Sequence, residues 1–99
     1  MTTKEYRGRH TIIAHMLNII NDTSIEGASK TLIMYSAFLS YAQLKEYLSF
    51  LVDKELVDEF PQQIQNRNIV KKKFTYKLTE KGRRFLQISR EIESIIGLD

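Results

Sequence analysis

Apolar side chains recur at intervals of three and four residues along the N-terminal part of the chain, a pattern typical of amphipathic helices. This pattern predicts a first helix over residues 9–21 and a short second helix over residues 30–37. Ser29 can cap the second helix, because a serine hydroxyl accepts a hydrogen bond from a free N–H group of the first turn. The second helix is expected to bury Leu32, Ile33 and Tyr35.

The start of a third helix, predicted over residues 40–54, carries the clearest local signal in the sequence. Ser40 and Gln43 have the spacing of a capping box, and Leu39 and Leu44 have the spacing of the hydrophobic staple that accompanies such a box. Only two or three residues separate the second and third helices, so the two helices must cross sharply. This arrangement predicts a helix-turn-helix.

After the third helix, the pattern changes from helical spacing to alternation. A short strand is predicted over residues 56–60, ended by Pro61, and a polar loop follows over residues 62–68. In residues 71–78, apolar side chains alternate with lysine and threonine, which predicts a second strand with one apolar and one cationic face. The two strands are expected to form a hairpin with a long basic tip.

A final helix is predicted over residues 80–97, with Thr79 as its cap. Its apolar stripe consists of Phe85, Ile88, Ile92, Ile95 and Ile96. Two interpretations of this stripe stay open. Its first part can pack on the core of the same chain, whereas its last part extends beyond so small a body and is expected to contact a partner helix, most simply from a second copy.

Several segments of the chain resemble a known family. They are Ile33 to Tyr35, Ala37 to Tyr41, Gln43 to Leu48 and Leu78 to Leu86. These segments are similar to those of the small archaeal winged helix-turn-helix DNA-binding proteins, which include dimeric ten-kilodalton chromatin-associated proteins and related transcription regulators. The resemblance extends over about residues 6–97. The family usually has glycine where this chain has Glu55, so we expect a left-handed backbone conformation at that residue.

The resemblance implies a mainly α (α+β) fold, in which three helices and a β-hairpin wing are followed by a C-terminal dimerisation helix. It also implies a homodimer that binds duplex DNA with the third helix and with the wing, residues 61–73. The length of 99 residues agrees with a single domain over residues 1–99, since a chain of this size builds one core.

The charge of the chain is distributed unevenly. The net charge is only +3, but residues 61–90 carry nine basic side chains and one acidic side chain. Residues 40–60 carry two basic and five acidic side chains. A basic wing suits duplex DNA, because DNA-binding proteins neutralise phosphates and release counterions. A solvated run of charge with no partner is the simpler alternative.

We predict DNA contacts from the second helix, the third helix and the wing. These residues are Ser29, Lys30, Ser40, Tyr41, Gln43, Lys45, Arg67, Lys71, Lys72 and Lys73. Lys81 and the arginines after it extend this basic surface. Gln43 is able to read adenine, but the capping box competes for its side chain. The third helix carries no arginine to read guanine, so we expect contacts to phosphates and groove shape to dominate over a sequence code.

No residue pattern supports catalysis or a bound cofactor, and we expect no enzyme activity. The chain has no cysteine, and His10 and His15 lie about 140° apart on a helix, so no metal site is predicted. No apolar run approaches the roughly 20 residues of a membrane span, and the N-terminus lacks a signal-peptide core. A cytoplasmic, nucleoid-associated location is therefore expected.

A second hypothesis is a winged-helix protein–protein interaction module of a larger transcription or replication assembly. In that case the third helix faces a protein. The acidic content of residues 40–60 favours this alternative.

Overall fold

A computed structural model describes residues 8–23, 26–66 and 69–97, with the side chains of residues 63–66 and 69–72 outside that description. In this part of the chain, four helices and three strands follow in the order α1 (Arg9–Asp22), β1 (Ala28–Ser29), α2 (Lys30–Ser36), α3 (Tyr41–Asp53), β2 (Val57–Asn66), β3 (Ile69–Leu78) and α4 (Glu80–Ile96). The predicted mainly helical fold is confirmed, with its helix-turn-helix, its hairpin wing and its C-terminal helix.

The hydrophobic core forms where the helices meet the base of the sheet. Fully buried side chains there include Met16, Leu17, Ile33, Leu44, Leu51, Val57 and Tyr76. Of the three residues of α2 that were predicted to be buried, only Ile33 is; Leu32 is 41% exposed and Tyr35 is 71% exposed. These two side chains point about 100° and 200° away from Ile33 around the helix axis. Since α2 has only seven residues, it buries one narrow face.

Each of the three predicted N-caps is present. Ser29 Oγ accepts a hydrogen bond from a backbone N–H in the first turn of α2 (3.1 Å). Thr79 Oγ1 accepts the equivalent hydrogen bond in α4 (2.9 Å). Ser40 begins α3 with the full capping box that its spacing to Gln43 predicted. These caps satisfy N–H groups that have no partner within the helix, and they set where each helix begins.

The strands form one antiparallel sheet in the order β1-β3-β2, which places β2 at an edge. The hairpin is paired from Val57 with Leu78 to Asn66 with Ile69. The prediction that the first strand ends at Pro61 and that a loop follows was wrong, because β2 continues through this proline. An edge strand tolerates proline, since only one of its sides donates to the ladder. The tip at residues 67–68 lies outside the described residues.

Strand β1 was not predicted from the sequence. It consists of two residues, Ala28 and Ser29, which pair with Tyr76 and Thr75 of β3. A segment of two residues has no periodicity from which a strand is recognised. This pairing nevertheless affects the surface of the protein, because it places the start of α2 beside strand β3 of the wing.

Helix α3 ends at a left-handed residue, as the replacement of the family's glycine by Glu55 predicted. Glu55 has a φ of 60°, and its N–H donates to the carbonyl oxygen of Val52 (3.0 Å). The N–H of Leu56 donates to the carbonyl oxygen of Leu51 (2.9 Å). Together these are the two hydrogen bonds of a Schellman motif, which satisfies carbonyl groups in the last turn of a helix.

The carbonyl groups that follow α3 are bound by the start of α4. Thr79 donates from its N–H to the carbonyl oxygen of Leu56 (3.1 Å) and from Oγ1 to that of Glu55 (2.6 Å). Lys81 donates from Nζ to the carbonyl oxygen of Lys54 (2.9 Å). The ammonium group of Lys81, which we expected in the basic surface, is thus engaged within the chain.

Gly82 allows α4 to approach the end of α3 closely. It is buried, and a β-carbon at this position would collide with the carbonyl oxygen of Leu56. Residues 78–82 therefore hold residues 54–56 by hydrogen bonds and by close contact. We refer to residues 78–82 as the clamp.

Candidate nucleic-acid interface

The first two turns of α3 present polar and aromatic side chains to solvent. Tyr41, Gln43 and Lys45 are all exposed, Tyr41 to 61%. The ammonium nitrogen of Lys45 lies 5.6 Å from the centre of the Tyr41 ring, a cation–π contact. The start of α3 therefore offers a positive charge and an aromatic surface side by side.

Gln43 is engaged in the capping box, and this limits what it is able to read. The side-chain Oε1 of Gln43 accepts a hydrogen bond from the backbone N–H of Ser40 (2.9 Å), and the backbone N–H of Gln43 donates to Ser40 Oγ (3.1 Å). Recognition of adenine by a carboxamide needs both the oxygen and the nitrogen of the side chain. While the box is intact, the bond to Ser40 uses one lone pair of Oε1 and fixes the orientation of the carboxamide, so Gln43 is not free to turn toward an adenine.

A surface depression joins the start of α2 to β3. It is lined by Ser29, Lys30, Thr31, Lys73 and Phe74. The ammonium nitrogen of Lys30 lies 5.3 Å from the centre of the Phe74 ring, and Lys73 is exposed. The hydroxyl of Ser29 accepts the capping bond of α2 and keeps its own hydrogen to donate. Two lysines from distant parts of the sequence thus border one concave surface, which suits a phosphate group.

The basic part of the wing lies on β3. Lys71, Lys72 and Lys73 pair with residues 62–64 of β2, which are two glutamines and an isoleucine. No carboxylate therefore lies opposite these lysines in the described ladder. Lys73 is exposed, whereas the side chains of Lys71 and Lys72 and the whole of Arg67 lie outside the described residues.

A groove of about 200 Å³ runs between α3 and the sheet. Its polar lining includes Lys30, Lys45, Asp53, Glu59 and Tyr76. The hydroxyl of Tyr76 donates to the carboxylate of Glu59 (2.5 Å). Burial, together with the hydrogen bond to Glu59 and its negative charge, raises the pKa of Tyr76 above the ordinary value near 10. The phenol therefore stays neutral, and the two lysines of the groove face two carboxylates.

The end of α3 and the start of β2 are acidic. Asp53, Glu55, Asp58 and Glu59 are exposed there. Near its start, α3 carries Lys45 and the exposed Glu46, whose charges offset each other, whereas its end is acidic. An anionic partner is therefore repelled more strongly from the end of the helix than from its start.

Helix α4 has a half-buried beginning and an exposed end. Phe85 packs against the core, and its ring centre lies 5.4 Å from that of His10. The imidazole of His10 is also within 3.1 Å of the hydroxyl of Ser89. Core packing therefore accounts for Phe85 in the predicted apolar stripe. The other members of the stripe are exposed: Ile88, Ile92, Ile95 and Ile96.

Sequence analysis missed two features of this surface. One is the meeting of Lys30 with Lys73, which the unpredicted pairing of β1 produces. The other is the exposure of the rings of Tyr35 and Phe38 beside the start of α3. The second feature had a signal in the sequence, because a helix of two turns that buries Ile33 cannot also bury Tyr35.

Within residues 8–23, 26–66 and 69–97, no group of three or more histidine, cysteine, aspartate or glutamate side chains is arranged to hold a metal ion. None of the described helices is both long enough and apolar enough to cross a membrane.

The helix-turn-helix and the hairpin wing define a winged-helix protein. The sequence profile of the winged helix-turn-helix family matches residues 6–97, and the chain belongs to this family. No curated protein matches the chain significantly in sequence.

Solved structures share the fold. Sso10a-2, described as a DNA-binding protein from Sulfolobus solfataricus, is 22% identical to this chain, with a TM-score of 0.63 over 92% of this chain and 83% of its own. The protein chain of a MepR–DNA complex from S. aureus is 15% identical, with a TM-score of 0.69 over 87% of this chain. The present chain spans 65% of that MepR chain. At these identities, the likeness is one of fold.

Proposed function

We propose that this protein binds double-stranded DNA as a homodimeric winged-helix transcription regulator or nucleoid-associated protein. The observation that carries the proposal is the position of Lys30, which connects Lys45 of α3 to Lys73 of the wing. Lys30 lines both the groove along α3, with Lys45, and the depression at the wing, with Lys73. We call these three side chains the lysine surface. The described lining of the depression at the wing has no carboxylate, so a phosphate is expected there, whereas Asp53 and Glu59 offset the charges of Lys30 and Lys45 in the groove.

In the proposed binding mode, the helix of residues 40–54 enters the major groove and the wing of residues 61–73 follows the phosphate backbone. Besides the lysine surface, the proposed contacts are Ser29, Ser40, Tyr41, Gln43, Arg67, Lys71 and Lys72. Contacts to phosphates and to groove shape dominate, because the capping box occupies Gln43 and α3 has no arginine. Two proteins that share the fold support the proposal, since one is described as DNA-binding and the other was solved with DNA.

The proposed homodimer joins two copies of a single domain through the C-terminal helix, residues 80–97. The exposed isoleucines of α4 and Phe85 at their edge supply an apolar face that the same helix of a second copy covers. Two-fold symmetry then presents two copies of α3 to successive turns of the duplex. Such a protein needs no cofactor or enzyme activity and works on the nucleoid in the cytoplasm.

Lysine replacements test the DNA-binding proposal. Each phosphate contact contributes about −0.9 to the slope of log affinity against log salt concentration. Changing Lys30 and Lys73 together to alanine is therefore expected to make this slope about 2 less steep per subunit, or about 4 for the proposed dimer, and to weaken binding at least about tenfold at low salt. The measurement is a fluorescence anisotropy titration of labelled duplex at several salt concentrations.

Lys54→Ala is the control for the double variant of Lys30 and Lys73. It removes the same charge at the acidic end of α3, where the Lys54 ammonium lies over the ring of Phe50 at 5.9 Å. We expect it to leave the salt slope unchanged. A wild-type titration that does not depend on salt contradicts the proposal.

Replacing Ile92 and Ile95 by lysine tests the dimer separately. The double variant is expected to be a monomer by light scattering. Its lysine side chains would be buried in the contact between the two α4 helices with no carboxylate to pair with their charges. Gln87→Lys, at an exposed position of the same helix, is the control and should leave the dimer intact. A wild-type chain that is already monomeric at high concentration contradicts the dimer.

A protein–protein interaction module of a larger transcription or replication assembly is the second candidate. The exposed carboxylates of Asp53, Glu55 and Asp58 at the end of α3 favour it. Alanine at residues 71–73 separates the two candidates. Loss of DNA retention supports DNA binding, whereas unchanged DNA retention with loss of a protein partner supports the interaction module.

A further inference from the structure

Glu46 lies at the centre of the outward face of α3. The buried residues of this helix are Leu44, Leu48 and Leu51. With about 100° of rotation per residue, Glu46 falls on the opposite side of the helix axis from these leucines. Its side chain is exposed. Any partner that contacts the outward face of α3 therefore meets this carboxylate.

The neighbours of Glu46 on the outward face are small. Ala42 lies one turn before Glu46 and Ser49 lies about one turn after it, and both are exposed. Side chains of this size leave room for a flat group, such as the edge of a base pair, to approach the carboxylate closely. The outward face thus presents one acidic group between two short side chains.

The carboxylate of Glu46 is available to an outside donor. Within the described part of the chain, it forms neither an ion pair nor a hydrogen bond. The ammonium group of the adjacent Lys45 lies over the ring of Tyr41, 5.6 Å from its centre. The carboxamide of Gln43 is held by the N–H of Ser40. The residues next to Glu46 thus leave its acceptor oxygens unused.

A carboxylate at this position restricts which part of a duplex α3 can meet. Phosphates repel it, so its charge weakens DNA binding unless a hydrogen-bond donor compensates for it. In the major groove, the donors are the N4 amino group of cytosine and the N6 amino group of adenine. Adenine also presents the acceptor N7 beside its amino group, whereas cytosine presents the donor alone. Cytosine is therefore the base that best fits a carboxylate.

We propose that Glu46 is a specificity-determining residue that accepts a hydrogen bond from the N4 amino group of cytosine in the major groove, an inference that rests on the proposed function. Guanine and thymine are disfavoured at the same position, because their polar atoms in this groove are acceptors. A single acidic side chain thereby adds one base-specific contact to a helix that has no arginine and otherwise depends on phosphates and groove shape.

Selection from a pool of duplexes with a randomised central segment tests the inference. The wild type is expected to enrich cytosine at one position of the selected sequences. In anisotropy titrations of a selected duplex, changing this C·G pair to any other base pair should weaken binding about five- to tenfold.

Glu46→Gln is the decisive variant. It is expected to prefer adenine at the position where the wild type prefers cytosine, because a carboxamide accepts from N6 and donates to N7 of adenine. Glu46→Ala is expected to bind all four base pairs there with similar affinity. Both variants should keep the thermal midpoint of the wild type, since an exposed side chain without a partner in the described residues is replaced.

Glu55→Gln is the matched control. It makes the same chemical change at an exposed position at the end of α3, and it should keep the cytosine preference of the wild type. A control that loses this preference would show that the charge of the chain, and not a contact from Glu46, sets the choice of base, and this would overturn the inference.

The other outcomes separate this inference from the proposed function. Salt-dependent binding by the wild type without enrichment of cytosine overturns the role of Glu46 and leaves DNA binding intact. A Glu46→Gln variant that binds every duplex more tightly and still prefers cytosine also overturns it, because Glu46 then only repels phosphates. Absence of DNA binding by the wild type overturns the proposed function itself.

Discussion

The start and the end of α3 satisfy their backbone groups in different ways. At the start, Ser40 and Gln43 bind each other's N–H groups, and the side chains of Tyr41 and Lys45 extend into solvent. At the end, the carbonyl groups of residues 54–56 are bound by the clamp, and most of the exposed side chains are acidic.

The start of α3 is therefore available to bind a partner, whereas its end is held by another part of the chain. A helix start that is capped by its own residues needs no other element to cover it, so it remains open to a ligand. A helix end whose carbonyl groups are held by another helix is fixed to the core. Helix α3 is thereby held in place from one end while the other end is exposed.

The largest expected effect is at the clamp. Gly82→Ala places a methyl group against the carbonyl oxygen of Leu56, which Thr79 also binds. The free energy of unfolding should fall by about 3 kcal/mol, because α4 must move and break these hydrogen bonds. Urea denaturation measures the change.

Gly8→Ala is the matched control for this variant. No atom lies within 4 Å of the added β-carbon, so we expect a change below about 1 kcal/mol. An equally small change at Gly82 would mean that α4 shifts away easily and that the end of α3 is not rigidly held.

A smaller effect is expected from Thr79→Val, which keeps the shape of the side chain and removes its hydroxyl. That hydroxyl caps α4 and also donates to the carbonyl oxygen of Glu55. Loss of both hydrogen bonds should lower the free energy of unfolding by about 2 kcal/mol, measured by urea denaturation. Thr11→Val, at an exposed position of α1, should change it by less than about 0.5 kcal/mol. Equal values for the two variants would show that the clamp hydrogen bonds add no net stability.

The smallest effect is expected at the acidic end. Changing Asp58 to asparagine should raise DNA affinity by no more than about threefold, because this exposed side chain is proposed to lie away from the phosphates. Lys45→Ala at the start should lower affinity by about tenfold in the same anisotropy titration. A gain above tenfold from Asp58→Asn would place DNA at the acidic end, and no loss from Lys45→Ala would show that DNA does not contact the start of α3.

Features that depend on neighbours in the chain were predictable from the sequence. The caps at Ser29, Ser40 and Thr79 need only one helical turn of residues. The left-handed Glu55 was expected from the resemblance, because the family usually has glycine at this position. In the candidate site, Tyr41 and Lys45, which were predicted as DNA contacts, are exposed on α3. The sequence by itself therefore determined the order of the helices and of the hairpin, but not strand β1.

Only the tertiary structure decided which distant residues meet. Pro61 stays within a strand because β2 is an edge of the sheet, and Tyr35 is exposed because α2 turns one narrow face to the core. Lys30 and Lys73 border one depression because β1 pairs with β3. Each of these outcomes depends on what packs against an element from elsewhere in the chain. The spacing of residues along the sequence predicts which face of a helix or strand is apolar. The elements that pack against that helix or strand determine which of its groups are covered, which are paired and which remain available to a partner.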